Sequence, residues 1–211
     1  MIEVLLYDVL FMASYVFVSF MICTREGYQF RKPLRQELER GLNSLAVQLP
    51  FSNMAMQITP FGQAWGPLAC IRYLVCFDAL VFWIHLALHR NHWLYDNVHK
   101  EHHRTIWVSP FSATILDWRE HLLVGVVPTV LPLFFIDLSF GAWTMMNMVI
   151  FLYGMAIHSS LPIPGAREHA THHVFKNTHF GFMFSIWDTL LGTSTYPITR
   201  EKLVESIIAN Y

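Results

Sequence analysis

Histidine is the residue type in this chain whose number and spacing could do chemistry. His85 and His89 are four apart; His99, His102 and His103 follow the spacing i, i+3, i+4; His169, His172 and His173 repeat it. A helix advances about 100° per residue, so each group shares one helical face. Counting either His92 or His158 with these eight, nine of the twelve histidines fall into such groups. Neutral imidazole is the commonest metal ligand and suits iron, zinc and copper. Eight or more ring nitrogens exceed the four of a tetrahedral structural zinc, which points to two ions, each with several imidazoles and room for oxygen. Other histidine chemistry finds less support. Glu101 precedes His102 and Glu168 precedes His169, but neither stands where H-E-x-x-H would place it, and there is no G-x-S-x-G elbow for a serine nucleophile.

The elements that must position these residues are apolar. The chain has 211 residues, 54% hydrophobic and 14% charged. Soluble domains average about 25% charged, so the composition predicts a membrane protein of one domain. A formal net charge of -1 gives no reason to expect a nucleic-acid partner. The three cysteines, Cys23, Cys70 and Cys76, lie in or beside apolar runs without a C-x-x-C, as buried thiols would. Residues 5–22 read as a retained membrane helix rather than a cleaved leader, since no basic n-region precedes them. The basic stretch 25–40 is expected on the cytosolic side. Residues 42–62, interrupted by Pro50 and Pro60, either cross back or dip and return. Residues 67–89 form a clear span carrying Arg72 and Asp78, charges that are costly in lipid. The block 122–158 has the length of a hairpin of two spans divided near Asp137–Gly141, with Pro128 and Pro132 kinking the first. That hairpin returns the chain to the side of 90–121, so all histidine groups face the side of Arg90, Lys100 and Arg104, the cytosol. The expected fold is all-α, an integral membrane bundle of four to five spans with a histidine-rich cytosolic cap.

The three boxes, H-x-x-x-H (His85, His89) and two H-x-x-H-H (His99, His102, His103; His169, His172, His173), in this order and with the span hairpin between the last two, resemble the fatty acid hydroxylase and sterol desaturase superfamily. Further strings agree: Asp78 lies seven residues before His85, HKEHH (99–103) is similar to an HKxHH motif, Ile157-His158-Ser159 looks like the histidine that ends the last span, and WDTLLGT (187–193) resembles WDRxxGT. The sterol C-5 desaturases are the branch most resembled, over about 78–193. Two strings depart. Asp117-Trp118-Arg119-Glu120 carries Asp where HP-x-E/D has histidine, and Asn177-Thr178-His179-Phe180-Gly181 replaces N-Y/F-G.

The resemblance implies an endoplasmic reticulum enzyme with a non-haem centre of two iron ions, using O2 and electrons passed from NAD(P)H by a separate cytochrome b5-type protein. It implies as ligands His85, His89, His99, His102, His103, His158, His169, His172 and His173, while His92 falls outside the boxes. Asp78, Asp117, His179 and Asp188 are candidates to support those ligands by hydrogen bonds. The substrate expected is a lipid, foremost a sterol, that is desaturated or hydroxylated; a fatty acid or sphingoid base hydroxylase is the alternative, and a non-catalytic metal-binding membrane protein is the alternative of another class. Phe77, Phe82, Trp83 and Trp143 either line the lipid's path or make ordinary packing contacts. Arg104, Arg167 and Lys176 either form a basic surface for the donor or lipid phosphate or mark the cytosolic side. The expected division is an anchor with an amphipathic segment (1–66), a catalytic domain (67–194) and a cytosolic tail (195–211).

Overall fold

The computed structural model describes residues 2–27, 32–105 and 108–195; the amphipathic tail expected beyond them lies outside the described residues. The described chain is helical, and no strand occurs in it apart from one isolated bridge between Gly62 and Ser139. The main helices are α1 (Ile2–Arg25), α2 (Lys32–Ile58), α3 (Pro67–Arg90), α4 (Phe140–Ile157), α5 (Ala166–Phe175) and α6 (Ile186–Leu191).

Among the described residues three helices are long and apolar enough to cross a membrane: Leu6–Arg25, Pro67–Arg90 and Phe140–Ile157. All three rise in the same direction. The residue after α1, Glu26, accepts hydrogen bonds from Ser160 just beyond α4, and α3 and α4 both end at histidines, His89 and His158. Two descending stretches separate them. One is α2, which starts near the histidine end and comes down to Asn53, whose amide donates to Asp8 early in α1. It continues through Pro50 rather than breaking there; proline removes one helical hydrogen bond, a loss that packing can offset. The other descent, 118–134, is apolar but assembled from short pieces: α-helix at Trp118–Glu120, π-helix at His121–Val126, α-helix at Val127–Val130 and 3-10 helix at Leu131–Phe134. Pro128 and Pro132 lack the N–H groups that a continuous ladder needs.

Two apolar cores hold the traverses together. At the far end Tyr7, Phe11, Tyr73, Phe77, Leu133, Leu138 and Trp143 interlock. Towards the histidines Tyr15, Leu34, Leu45, Phe111 and Met155 do so. In a bilayer such contacts act through close packing more than through exclusion of water. Tyr15 also donates a hydrogen bond of 2.9 Å to the Phe111 carbonyl, and Gly41 makes room for that hydroxyl, since a Cβ there would overlap it.

Candidate metal centre

The structure brings all nine expected histidines together, in two sets. His85, His89, His99, His103 and His172 form one; His102, His158, His169 and His173 form the other. Within each, one ring nitrogen per residue lies within 4.8 Å of all the others. All nine are buried except His89, which is partly exposed. The sets do not follow the sequence boxes. His99 closes a π-turn (Tyr95–His99) and His102 and His103 lie on a 3-10 turn, so the middle box is not one α-helical face. The neighbours His102 and His103 point to different sets, and so do His172 and His173, as residues about 100° apart on a helical turn would. The pairs four apart, His85 with His89 and His169 with His173, stay together. His92, exposed on the turn after α3, joins neither.

Hydrogen bonds fix which nitrogen is free in four of the nine rings. A backbone carbonyl only accepts, so a ring nitrogen beside one must carry the hydrogen. His85 Nδ1 meets the Phe180 carbonyl at 2.9 Å, His172 Nδ1 that of Thr178 at 2.7 Å, His158 Nδ1 that of Gly154 at 2.8 Å and His173 Nδ1 that of Thr105 at 3.1 Å. Their Nε2 atoms therefore present lone pairs, and these converge. In the five-residue set, Nε2 atoms stand 3.2 Å apart for His85 and His99, 2.9 Å for His89 and His99, 3.0 Å for His99 and His103, and 3.2 Å for His103 and His172. In the other set His158 and His169 are 2.9 Å apart, and His169 and His173 are 3.1 Å apart. One N–H can serve only one neighbour, so a ring of nitrogens this close leaves lone pairs that a cation between them would satisfy, and the donor chemistry fits metal ions. Two donors about 2.1 Å from one centre lie about 3.0 Å apart at a right angle and about 3.4 Å apart at the tetrahedral angle. The five-nitrogen set matches the right-angle spacing, suited to five or six ligands rather than a tetrahedral zinc.

Burial holds His99, His102, His103, His169, His172 and His173 well below the usual imidazole range, as does the presence of so many neighbouring rings. Neutral imidazole is the form that ligates. Behind His99 stands Glu120, almost fully buried, with Oε1 at 2.7 Å from Nδ1. Burial pushes its carboxyl well up, and Asp117 and Glu101 add to this. A cation held at His99 would favour the charged form, and a carboxylate behind a ligating imidazole fixes its tautomer and strengthens its donation.

Glu120 is the residue that sequence reasoning missed, although it is the acidic member of the string Asp117-Trp118-Arg119-Glu120. Asp117, expected to support a ligand, does not: it caps its short helix and pairs with Arg119 Nε at 2.8 Å. Asp78 and Asp188 do not touch a histidine either. They hold the loop that does. Asp78 accepts from Met183 N at 2.6 Å and Trp187 Nε1 at 3.0 Å; Asp188 accepts from Phe180 N, Gly181 N and Thr193 Oγ1. The Phe180 carbonyl is thereby aimed at His85. Lys176 and His179 adopt left-handed backbone angles (φ 61° and 55°), uncommon for such residues, and these bends turn the Thr178 and Phe180 carbonyls inward. His179 itself bonds Thr195 and joins neither set. Glu101 pairs with Arg40 and Arg104.

A cavity of about 240 Å³ opens from the histidines towards the far end of the bundle. His85, His99, His102, His158 and His169 line its head, and Phe77 and Trp143 its lower wall. Phe82 is instead packed against Phe180 and Trp187, and Trp83 faces outward.

The profile of the fatty acid hydroxylase family matches residues 70–193. A Delta(7)-sterol 5(6)-desaturase of Leptosphaeria maculans is 30% identical over 139 residues, 63% of this chain and 39% of the relative. A lathosterol oxidase of Mus musculus is 27% identical over 168 residues, 72% of this chain and 54% of the relative. A cholesterol 25-hydroxylase-like protein 2 of Danio rerio is 30% identical over 161 residues, 71% and 56%. The chain thus spans between about two fifths and just over half the length of these relatives. No solved structure matches it. With three boxes, their geometry and this profile in agreement, the chain belongs to the fatty acid hydroxylase family and, within it, to the sterol desaturase branch.

Proposed function

We propose that this chain is a membrane oxidoreductase that desaturates or hydroxylates a lipid, in the first place a sterol, with the nine histidines holding two iron ions. The observation that carries the reading is the gathering of nine histidines into two adjoining sets at the head of an apolar cavity. Iron bound there, with O2 and electrons from a cytochrome b5-type donor fed by NAD(P)H, would supply what no side chain can, the power to break an unactivated C–H bond. The chain's own part is positioning. Five Nε2 atoms would hold one ion and four ring nitrogens the other. The carbonyls of Thr105, Gly154, Thr178 and Phe180 keep the ligand rings in the right tautomer, and Glu120 does so for His99. The apolar walls admit a lipid and exclude water.

The names of the relatives support a sterol: two are called by oxidation of a sterol ring and one by hydroxylation of cholesterol. In this reading residues 67–194 are the catalytic unit, 1–66 the anchor with its amphipathic helix and 195–211 a cytosolic tail, in the endoplasmic reticulum with the histidines facing the cytosol. Purified protein should contain about two iron ions per chain by elemental analysis, and His102→Ala combined with His172→Ala, one ligand from each set, should lower that content to about one or fewer. Metal content untouched by those changes defeats the proposal. Lipid profiles of cells with and without the gene then identify the substrate: altered sterols are expected, whereas a new hydroxylated acyl chain with unchanged sterols transfers the reading to a fatty acid or sphingoid hydroxylase.

A further inference from the structure

Among the described residues no lysine or arginine lines the cavity, and the one acid that does, Glu120, is tied to His99. A lipid carboxylate or phosphate would find no counter-charge there, and burying it unpaired would be costly. The polar groups are few, and most have their donors engaged. Gln48 donates to Ser44 and to the Thr114 carbonyl, Thr129 to the carbonyls of Gly125 and Val126, and Asn147 to Tyr73 and the Trp143 carbonyl.

Ser52 and His121 differ. Ser52 Oγ and His121 Nε2 are 3.0 Å apart. His121 Nδ1 has no hydrogen-bond partner among the described residues; the ring lies in the cavity lining against Gly125, where a Cβ would come within 2.7 Å of Nδ1. Burial holds this imidazole down to about 4, so it is neutral. Whichever of the two donates to the other, the pair keeps one donor and one acceptor for the cavity: either Nδ1–H with the serine lone pairs, or the serine hydrogen with the Nδ1 lone pair. A hydroxyl group, itself donor and acceptor, is the complement.

We infer that Ser52 and His121 form a recognition pair for the hydroxyl of an uncharged lipid alcohol. Their place also sets the lipid's direction. His121 follows Glu120, whose carboxylate touches His99, whereas Thr129, eight residues further down the same stretch, meets Trp143 and Tyr73 at the far end. The hydroxyl-bearing end of the molecule therefore lies at the histidine end, its apolar remainder runs towards Trp143, and the carbons offered to the ions are those near the hydroxyl.

This rests on the reading of the cavity as a sterol site, and the test separates the two. The full chain in detergent is titrated with a Δ7-sterol, with its 3-deoxy counterpart and with its 3-methyl ether, which accepts a hydrogen bond but cannot donate one. The wild type should prefer the alcohol to the deoxy compound by about tenfold or more, the scale of losing a hydrogen-bonded hydroxyl from a buried site, and the ether should fall between. Ser52→Ala and His121→Leu should each bring the ratio close to one with metal content unchanged. If the variants keep the wild-type preference, or if the wild type binds alcohol, ether and deoxy compound alike, the pair has no such role. If the wild type binds none of the three, the sterol reading falls, and the pair's role with it.

Discussion

The five-nitrogen and four-nitrogen sets are made of the same side chain, yet the fold surrounds them differently. The first draws on α3, the 95–104 turns and α5, includes the partly exposed His89, and has the buried Glu120 behind one of its rings. The second is wholly buried, takes His158 from the end of α4, and has only backbone carbonyls behind His158 and His173. Each set also holds one ring, His103 in the first and His102 in the second, whose Nδ1 makes no close hydrogen bond. A carboxylate behind an imidazole makes it a stronger donor. If each set holds an ion as proposed, the contrast predicts tighter binding at the five-nitrogen set than at the four-nitrogen set.

The largest test removes a ligand from one side at a time. His169→Ala leaves three nitrogens in the second set and should lower the metal content from about two ions per chain to about one; His89→Ala leaves four in the first and should cost affinity while retaining most of the ion. Elemental analysis after dialysis against a weak chelator measures both, and equal losses would erase the distinction. Glu120→Ala comes next. It should weaken the first site by about 10- to 100-fold and leave the second within a few-fold, read by competition with a chelator of known affinity. Asp117→Ala, which removes only a cap and a surface pair, should leave both unchanged. The smallest effect is that of acidity on the metal-free fold. The histidines of both sets have folded-state values lowered from 6.5 by burial. The unfolded chain takes up protons near pH 6.5 while the folded chain does not, so stability is full above that pH and falls as the pH drops below it. Thermal unfolding in detergent should occur at lower temperature at pH 5.5 than at pH 7.5, and added metal should oppose the change.

Much of the site was legible in the sequence because ligand spacing and helix period are local properties. The boxes named eight of the nine gathered histidines, and the string Ile157-His158-Ser159 picked out the ninth, which spacing alone did not separate from His92. The apolar runs at 67–89 and 140–157 marked two rising spans. The division of the ligands between two sets was not legible, since it depends on the π-turn at Tyr95–His99 and the 3-10 turn after it, which rotate His102 away from His99. Nor was the role of Glu120. Attention went to Asp117, which stands where the family motif carries histidine, while it is the turn of chain between the cap and the π-helix that aims residue 120 inward. Asp78 and Asp188, candidates to support the histidines by hydrogen bonds, instead accept from the backbone amides of the 180–184 loop.

The mixing of boxes within each set bears on how the protein is made. Each set takes residues from the middle box and from α5, so His103 joins His172 across 69 residues, and His102 joins His169 across a similar stretch. Neither set of histidines is complete until the ribosome has reached the second half of α5, His172 for the first and His173 for the second. Metal loading of a complete set would thus come late in synthesis. Once in place the ions would clip together distant parts of a chain whose cysteines are all free, closing long loops in the way that adds most to stability.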